Sequence, residues 1–100
     1  MTQTLSWQRH DNIQGHVLRL AGELDRETLL AFWQQRDALL VDIAAIDVSA
    51  LTRVDSTGLA MFVRLQGELS AAGHKVQITG ISDNFNTLIE LYGLTALINN

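Results

Sequence analysis

One short polar stretch constrains the fold of this chain more than any other, because it separates an apolar run from a helical pattern. With its flanking residues it reads Val54-Asp55-Ser56-Thr57-Gly58-Leu59. Asp, Ser and Thr side chains accept hydrogen bonds from the free N–H groups of a first helical turn, and a helix start also favours negative charge. A strand is therefore expected to end here and a helix to begin. The hydroxyls then serve as a simple cap, a phosphate acceptor or a contact to a partner.

The rest of the chain alternates between strand-like and helix-like hydrophobic patterns. The predicted strands cover residues 4–8, 16–21, 45–48 and 75–79, and the predicted helices cover 26–40, 57–72 and 83–93. Asp25 and either Ser82 or Asp83 are predicted N-caps, and Gly73 is predicted to end the second helix in a left-handed conformation. The order β-β-α-β-α-β-α predicts an α/β fold, in which a mixed four-stranded sheet packs against helices and residues 1–100 form one domain.

Helical spacing also predicts which side chains face the core. The predicted buried residues are Leu29, Phe32, Trp33 and Leu40, then Leu59, Phe62, Val63, Gln66 and Leu69, and finally Phe85, Leu88, Ile89 and Tyr92. Arg36 is expected at the edge of the first stripe, with its stem packed and its guanidinium in water. The apolar stretch 45–48 lacks clear alternation, which predicts a strand covered on both sides. Residues 49–53 are expected to be irregular, and 94–98 to pack or fray beyond the last helix.

The second helix carries a further pattern beside its core stripe. Met61 and Leu65 lie off that stripe, next to Arg64 and Glu68. Apolar residues that flank a charged face are typical of a protein–protein contact surface of modest size. The predicted partner-binding face therefore consists of Asp55, Ser56, Thr57, Gly58, Met61, Arg64 and Leu65.

Composition argues against several classes of partner and chemistry. The net charge is −4 and there is no basic run, so neither nucleic acid nor an anionic membrane surface is expected to bind. The chain has no cysteine, which excludes disulfides, thiol catalysis and zinc–thiolate sites. The first residues lack the basic-then-apolar order of a signal peptide, and no apolar run approaches the roughly 20 residues that cross a bilayer. We therefore expect a cytoplasmic protein that does not insert into the membrane.

Residues capable of chemistry are not arranged for catalysis in this sequence. His10, His16 and His74 lack metal-ligand spacing, and no G-x-x-x-x-G-K phosphate loop is present. Ser56 lies outside any G-x-S-x-G nucleophile elbow. We expect no enzymatic activity, no cofactor and no metal. A hydrolase that used Ser56 would need a general base, and the sequence places none near it.

Several segments give the sequence a family resemblance when they are taken together with the polar stretch. These segments are Leu20-Ala21-Gly22-Glu23-Leu24-Asp25, Ile46-Asp47-Val48-Ser49, Gly80-Ile81-Ser82 and Leu91-Tyr92-Gly93-Leu94. In this arrangement the chain resembles the STAS domain family, which occurs in bacterial anti-sigma-factor antagonists and in several transporter subunits. The resemblance covers essentially the whole chain and implies a STAS-like mixed sheet with helices packed against it.

Within that family the sequence is most similar to the small STAS subunit of a phospholipid-transport ABC complex of Gram-negative bacteria. The similarity rests on Leu5-Ser6-Trp7, on Leu29-Leu30-x-x-Trp33 and on Leu91-Tyr92-x-Leu94. It implies a non-enzymatic subunit on the cytoplasmic face of the inner membrane. Such a subunit binds the ATPase subunit, and through it the permease, of a transporter that maintains the lipid asymmetry of the outer membrane.

The wider family implies an alternative function for the same motif. In anti-sigma-factor antagonists the first hydroxyl residue after the acid is the phosphorylation site, and that position is Ser56 here. A phosphate adds about −1.5 to −2 charge, which a helix start stabilises by roughly 0.3–1 kcal/mol. Burying it unpaired against a partner costs several kcal/mol. Phosphorylation is therefore expected to prevent binding unless the partner supplies an Arg cluster.

Overall fold

The strands form a single mixed sheet, and the helices connect or follow the parallel strands. The computed structural model describes residues 4–13 and 15–94. The elements are β1 Ser6–Asn12, β2 Gly15–Leu24, α1 Leu29–Leu39, β3 Ile43–Val54, α2 Ser56–Ala71, β4 Gln77–Thr79 and α3 Asp83–Leu91. In the sheet, ordered β1-β2-β3-β4, the β1–β2 pair is antiparallel and the other pairs are parallel. The predicted α/β class, the four-stranded mixed sheet and the order of elements are confirmed.

Only one face of the sheet carries the hydrophobic core. Leu18, Ile46 and Ile78 are register partners on neighbouring strands, and all three are buried in a cluster with residues of every helix. The next row places Arg19 beside Asp47 on the opposite face, where Arg19 is exposed. The prediction that the third strand is covered on both sides is therefore wrong. The third strand contains small and polar side chains, which weaken the apolar–polar alternation that is typical of a strand covered on one face.

The strand limits also differ from the prediction. Residues 49–53, expected to be irregular, belong to β3 and pair with the second half of β2. Shifts of register interrupt the β2–β3 pairing, and such bulges hide a strand's period of two in the sequence. β1 begins and ends later than predicted, at Ser6–Asn12, and β4 is limited to Gln77–Thr79.

Asp25 caps a turn that precedes α1 and not the helix itself. Its carboxylate accepts hydrogen bonds from the N–H groups of Glu27 at 2.9 Å and Thr28 at 3.0 Å. Residues 26–28 form this turn, so the regular helix begins at Leu29 and the predicted start at residue 26 is wrong.

The later helix ends follow the predicted chemistry. Gly73, after α2, has a φ of +73°, and the N–H of His74 donates to the carbonyl of Leu69 at 2.8 Å. This is the left-handed ending that the sequence predicts. Ser82 is the N-cap of α3, which ends at Leu91. Residues 95–98, predicted to pack or fray, lie outside the described residues.

An aromatic contact on one side and an ion pair on the other place α2 between the other two helices. Phe32 of α1 is buried, and its ring meets the ring of Trp7 on β1 edge-on, with 5.6 Å between centroids. Phe62 of α2 lies 5.7 Å from Phe85 of α3 by the same measure. An ion pair between Arg36 and Glu68 joins α2 to α1 on its other side. Because α2 is flanked on both sides, a wide arc of its surface is buried.

Candidate functional site

Asp55 fixes the point at which β3 ends and α2 begins. Its backbone is extended, and its N–H donates to the carbonyl of Leu24 at the end of β2, at 3.2 Å. Its carboxylate accepts a hydrogen bond from the N–H of Gly58 at 2.9 Å. The acid is therefore the helix cap, and the alternative in which Ser56 or Thr57 forms the cap is wrong.

Gly58 is required where the first turn of α2 meets the end of β2. Gly58 is buried, and a Cβ atom placed on it would lie 2.9 Å from both the Cγ and the carbonyl oxygen of Leu24. The oxygen belongs to the backbone and has little freedom to move aside. Asp55 and Gly58 thus position the start of α2 from below the surface. Both were predicted to belong to the contact face, but Asp55 is half-buried and Gly58 is buried.

Ser56 and Thr57 are the parts of the motif that reach the surface. Both are exposed in the first turn of α2, since the cap is supplied by Asp55. Arg64, two turns further along the same helix, is also exposed. These three residues are the members of the predicted contact face that the structure brings together at the surface of α2.

Met61 and Leu65 do not belong to this surface, and their predicted exposure is wrong. Their residual exposures are 6% and 2%, whereas Val63, which was predicted to be core, is 39% exposed. The buried stripe of α2 is rotated toward α1, because Leu65 and Met61 pack on that side. When a helix has neighbours on both sides, its buried face is wider than one hydrophobic stripe, and sequence periodicity does not predict that width.

Two apolar grooves run along the sides of the exposed part of α2. The α3-side groove has a volume of about 350 Å³ and is lined by Ser56, Leu59, Ala60, Val63, Arg64, Tyr92 and Leu94. The α1-side groove has a volume of about 220 Å³ and is lined by Leu29, Trp33, Thr57, Ala60, Met61 and Arg64. Ala60 and Arg64 line both grooves, so they mark the ridge between them. We call the exposed residues Ser56, Thr57, Ala60, Val63 and Arg64 the α2 crest.

Tyr92 and Val63 are the contact candidates that the sequence interpretation missed. Both were predicted to be buried, yet Tyr92 is 56% exposed and stands across the α3-side groove from Val63. Tyr92 follows the last residue of α3, where the helix no longer holds the side chain against the core. An exposed aromatic residue beside an apolar groove is a common feature of protein interfaces.

A cluster of charges crosses from α1 to the α2 crest. The guanidinium of Arg36 stacks over Trp33 at 3.9 Å from the ring centroid, and its Nε donates to Glu68 at 2.9 Å. This hydrogen bond holds the pKa of Glu68 below its usual range and raises the pKa of Arg36. Arg64 lies farther from the same carboxylate, at 3.7 Å, and its side chain is 75% exposed. Arg36 lies at the edge of the α1 stripe, as predicted, but its guanidinium packs against Trp33 and Glu68, so the expectation that it lies in water is wrong.

The sequence comparisons identify the family. Residues 8–99 match the family described as "Mlab, STAS domain". The chain is 38% identical over 96 residues to the intermembrane phospholipid transport system binding protein MlaB of Escherichia coli (strain K12), covering 96% of this chain and 95% of that protein. The chain belongs to the STAS domain family. This STAS domain is also 32% identical over 102 residues to MlaB of Haemophilus influenzae (strain ATCC 51907 / DSM 11121 / KW20 / Rd), covering 96% of this chain and 97% of that protein.

Solved structures share the fold of this STAS domain. An anti-sigma factor antagonist from Mycobacterium paratuberculosis superposes with a TM-score of 0.71 at 25% identity, over 95% of this chain and 83% of the other. The anti-sigma factor antagonist SpoIIAA in its unphosphorylated form gives a TM-score of 0.70 over 93% and 85% of the two chains, and at 19% identity it shows the fold alone. The predicted resemblance to the STAS family is confirmed.

Two of the three histidines of this STAS domain, His16 and His74, have ordinary structural partners. His16 pairs with Asp11 across the β1–β2 hairpin, and the Nε2 of His74 lies 2.9 Å from the carbonyl oxygen of Ile43. Within residues 4–13 and 15–94, no three His, Cys, Asp or Glu side chains are grouped so that they would hold a metal ion. No helix in this described part of the chain is long and apolar enough to span a membrane.

Proposed function

We propose that this STAS domain is a non-enzymatic accessory subunit of a phospholipid-transport ABC complex, in which it binds an MlaF-like ATPase subunit. The supporting observation is the 38% identity, over nearly the full length of both chains, to the MlaB protein of Escherichia coli. The complex then holds the subunit at the cytoplasmic face of the inner membrane. Through the ATPase the subunit supports assembly of the transporter, including its permease, and the lipid asymmetry of the outer membrane.

The α2 crest is the surface through which the ATPase binds in this proposal. It combines exposed hydroxyls at Ser56 and Thr57, the apolar side chain of Val63 and the cation of Arg64, and Tyr92 lines the α3-side groove beside it. Aromatic and Arg side chains next to apolar surface are enriched in protein interfaces. The described residues that line the groove beside Ser56 include neither a histidine nor a carboxylate that would act as a general base. This lining supports a binding role for Ser56 over a nucleophilic one.

Co-purification from Gram-negative membranes tests the proposal. A tagged chain is expected to bring down the ATPase and the permease, and Val63→Glu is expected to abolish this by placing a charge in the α3-side groove. Val41→Glu is the matched control, because Val41 is 54% exposed and does not line either groove of the α2 crest. If the wild-type chain brings down neither subunit, the proposed function is wrong. If both variants behave alike, the α2 crest is not the contact.

An anti-sigma-factor antagonist regulated at Ser56 is the second candidate. It is favoured by the fold shared with the Mycobacterium antagonist and by the exposure of Ser56 at a helix start. In this case a kinase-like anti-sigma factor phosphorylates Ser56 and releases the domain, since an added charge of about −1.5 to −2 beside the Asp55 carboxylate opposes burial. Mass spectrometry of the protein from its native cell separates the candidates. Phosphate at Ser56, with an anti-sigma factor as the co-purifying partner, would replace the transport assignment.

A further inference from the structure

The two grooves and the ridge between them restrict the chemistry of the partner segment. The α3-side groove is lined by apolar side chains together with Ser56 and Arg64, and the α1-side groove by apolar side chains together with Thr57 and Arg64. At about 350 and 220 Å³, the two grooves lie at the lower end of, and below, the roughly 300–1,000 Å³ of small-molecule pockets, and both are lined mainly by apolar side chains that can pack against side chains of a protein segment. A segment that crosses the α2 crest at Ala60 places one apolar side chain in each groove. Between these side chains it meets Arg64.

At the point where the segment crosses α2, Arg64 carries a positive charge that its neighbours neutralise only weakly. Its nearest carboxylate is Glu68 at 3.7 Å, and Glu68 is bound more closely by Arg36 through contacts of 2.9 and 3.4 Å. Its guanidinium lies 5.9 Å from the Trp33 ring centroid, whereas that of Arg36 lies at 3.9 Å. Arg64 is therefore held loosely and faces solvent. Covering it with a partner removes water from a cation that Glu68 satisfies only in part, which is unfavourable unless the partner brings an acceptor.

We infer that the ATPase segment that binds the α2 crest carries an Asp or Glu side chain between two apolar side chains, and that this carboxylate pairs with Arg64. The inference rests on the proposed function and specifies the chemistry of the partner. Arginine binds a carboxylate through two parallel hydrogen bonds, which fixes orientation as well as adding attraction. The carboxylate then sets how the segment lies across the crest, and the two apolar side chains supply most of the buried area.

Carbodiimide cross-linking of the purified complex tests the pairing directly, because it joins an amine to a carboxylate in contact with it. Lys75 is the sole lysine of the chain, and it is exposed beyond the end of α2. Arg64→Lys therefore introduces the one side-chain amine on the crest. We expect a cross-link from position 64 to an Asp or Glu of the ATPase that has apolar neighbours, and none from Lys75. If the complex forms but no cross-link joins position 64 to a carboxylate of the ATPase, the inference is overturned; a link from position 64 to Glu68 within the chain does not count.

Affinity measurements on the same complex give an independent readout. Arg64→Ala is expected to weaken binding by about 30-fold or more, and Arg64→Glu to weaken it further while making binding stronger as salt increases. Lys75→Glu makes the same charge change outside the crest and is expected to leave the affinity unchanged. Equal affinity of wild type and Arg64→Glu, with binding lost in Val63→Glu, would retain the proposed function and reject the carboxylate. A wild-type chain that does not bind the ATPase would reject both.

Discussion

α2 and α3 begin with the same two kinds of residue, an acid next to a hydroxyl, but the two residues exchange roles. At α2 the acid Asp55 is the N-cap, bonded to the third helical N–H at 2.9 Å, and Ser56 follows in the first turn. At α3 the hydroxyl of Ser82 is the N-cap, bonded to the third helical N–H at 3.1 Å, and Asp83 follows. The cap uses one residue of each pair. The other is left at the surface.

This exchange decides what each helix start offers to a partner. α3 presents the carboxylate of Asp83, a fixed charge that already occupies the position favoured by the helix dipole. α2 presents the uncharged hydroxyl of Ser56, which can donate and accept hydrogen bonds and can also be modified. Of the two helix starts, only that of α2 is therefore suited to a contact whose charge can change.

The largest expected effect of a substitution at either start is at Gly58. Gly58→Ala is expected to lower the free energy of unfolding by about 1–3 kcal/mol, because its Cβ would overlap the side chain and carbonyl of Leu24. Gly67→Ala in the same helix is the control. A Cβ on Gly67 has no heavy atom within 4 Å, so this change is expected to stabilise by roughly 0.5–1 kcal/mol. Urea denaturation of both variants measures the difference. A Gly58→Ala variant as stable as Gly67→Ala would show that α2 does not need its close approach to β2.

Removing the acid cap is expected to have the next largest effect. Asp55→Ala leaves the N–H of Gly58 without its acceptor and is expected to cost about 1 kcal/mol. Asp55→Asn keeps an acceptor oxygen and is expected to recover most of that loss. The midpoint of urea unfolding distinguishes them. If both variants unfold at the wild-type urea midpoint, the capping hydrogen bond contributes nothing to stability. Asp55 would then not act as a stabilising cap, and the two helix starts would not differ in the way described.

The sequence was sufficient for those features that depend on local chemistry. The order of elements, a cap at Ser82 or Asp83 and the left-handed Gly73 all follow from the preferences of single residues, and the structure has each of them, with Ser82 as the cap. The presence of a helix start after Val54 also follows from these preferences. Which of Asp55, Ser56 and Thr57 becomes the cap does not, because all three side chains are suitable acceptors.

Features that depend on neighbouring elements were beyond single-sequence reasoning. Met61 and Leu65 are buried because α1 lies beside them, and no pattern within α2 indicates where α1 packs. The length of β3 is concealed for a similar reason, since its bulges shift the side chains that would otherwise alternate. The candidate site could thus be located at the motif, but its extent along the α2 crest needed the packing of α1 and α3.

Removing the hydroxyl cap of α3 tests the other half of the comparison. Ser82→Ala leaves the N–H of Phe85 without its acceptor and is expected to cost about 0.5–1 kcal/mol, at the lower end for an exposed cap. Ser82→Asp keeps an acceptor and is expected to unfold near the wild-type midpoint. Neither change should affect binding of the ATPase, since Ser82 does not line the grooves beside the α2 crest. Loss of binding in Ser82→Asp would extend the contact surface to the start of α3.

The smallest expected effect on stability is that of Ser56→Ala, although Ser56 lies in the proposed contact surface. The hydroxyl is exposed and Asp55 supplies the cap, so the free energy of unfolding is expected to change by less than about 0.5 kcal/mol. Ser56→Glu is expected to be as well folded as Ser56→Ala but to lose the ATPase in co-purification, because it buries a carboxylate beside that of Asp55. If Ser56→Ala instead costs as much as Ser82→Ala, the hydroxyl at α2 is also structural, and the two helix starts do not differ as described. If both Ser56 variants keep the ATPase, the hydroxyl is free but unused, and the contact must depend on the grooves and Arg64 alone.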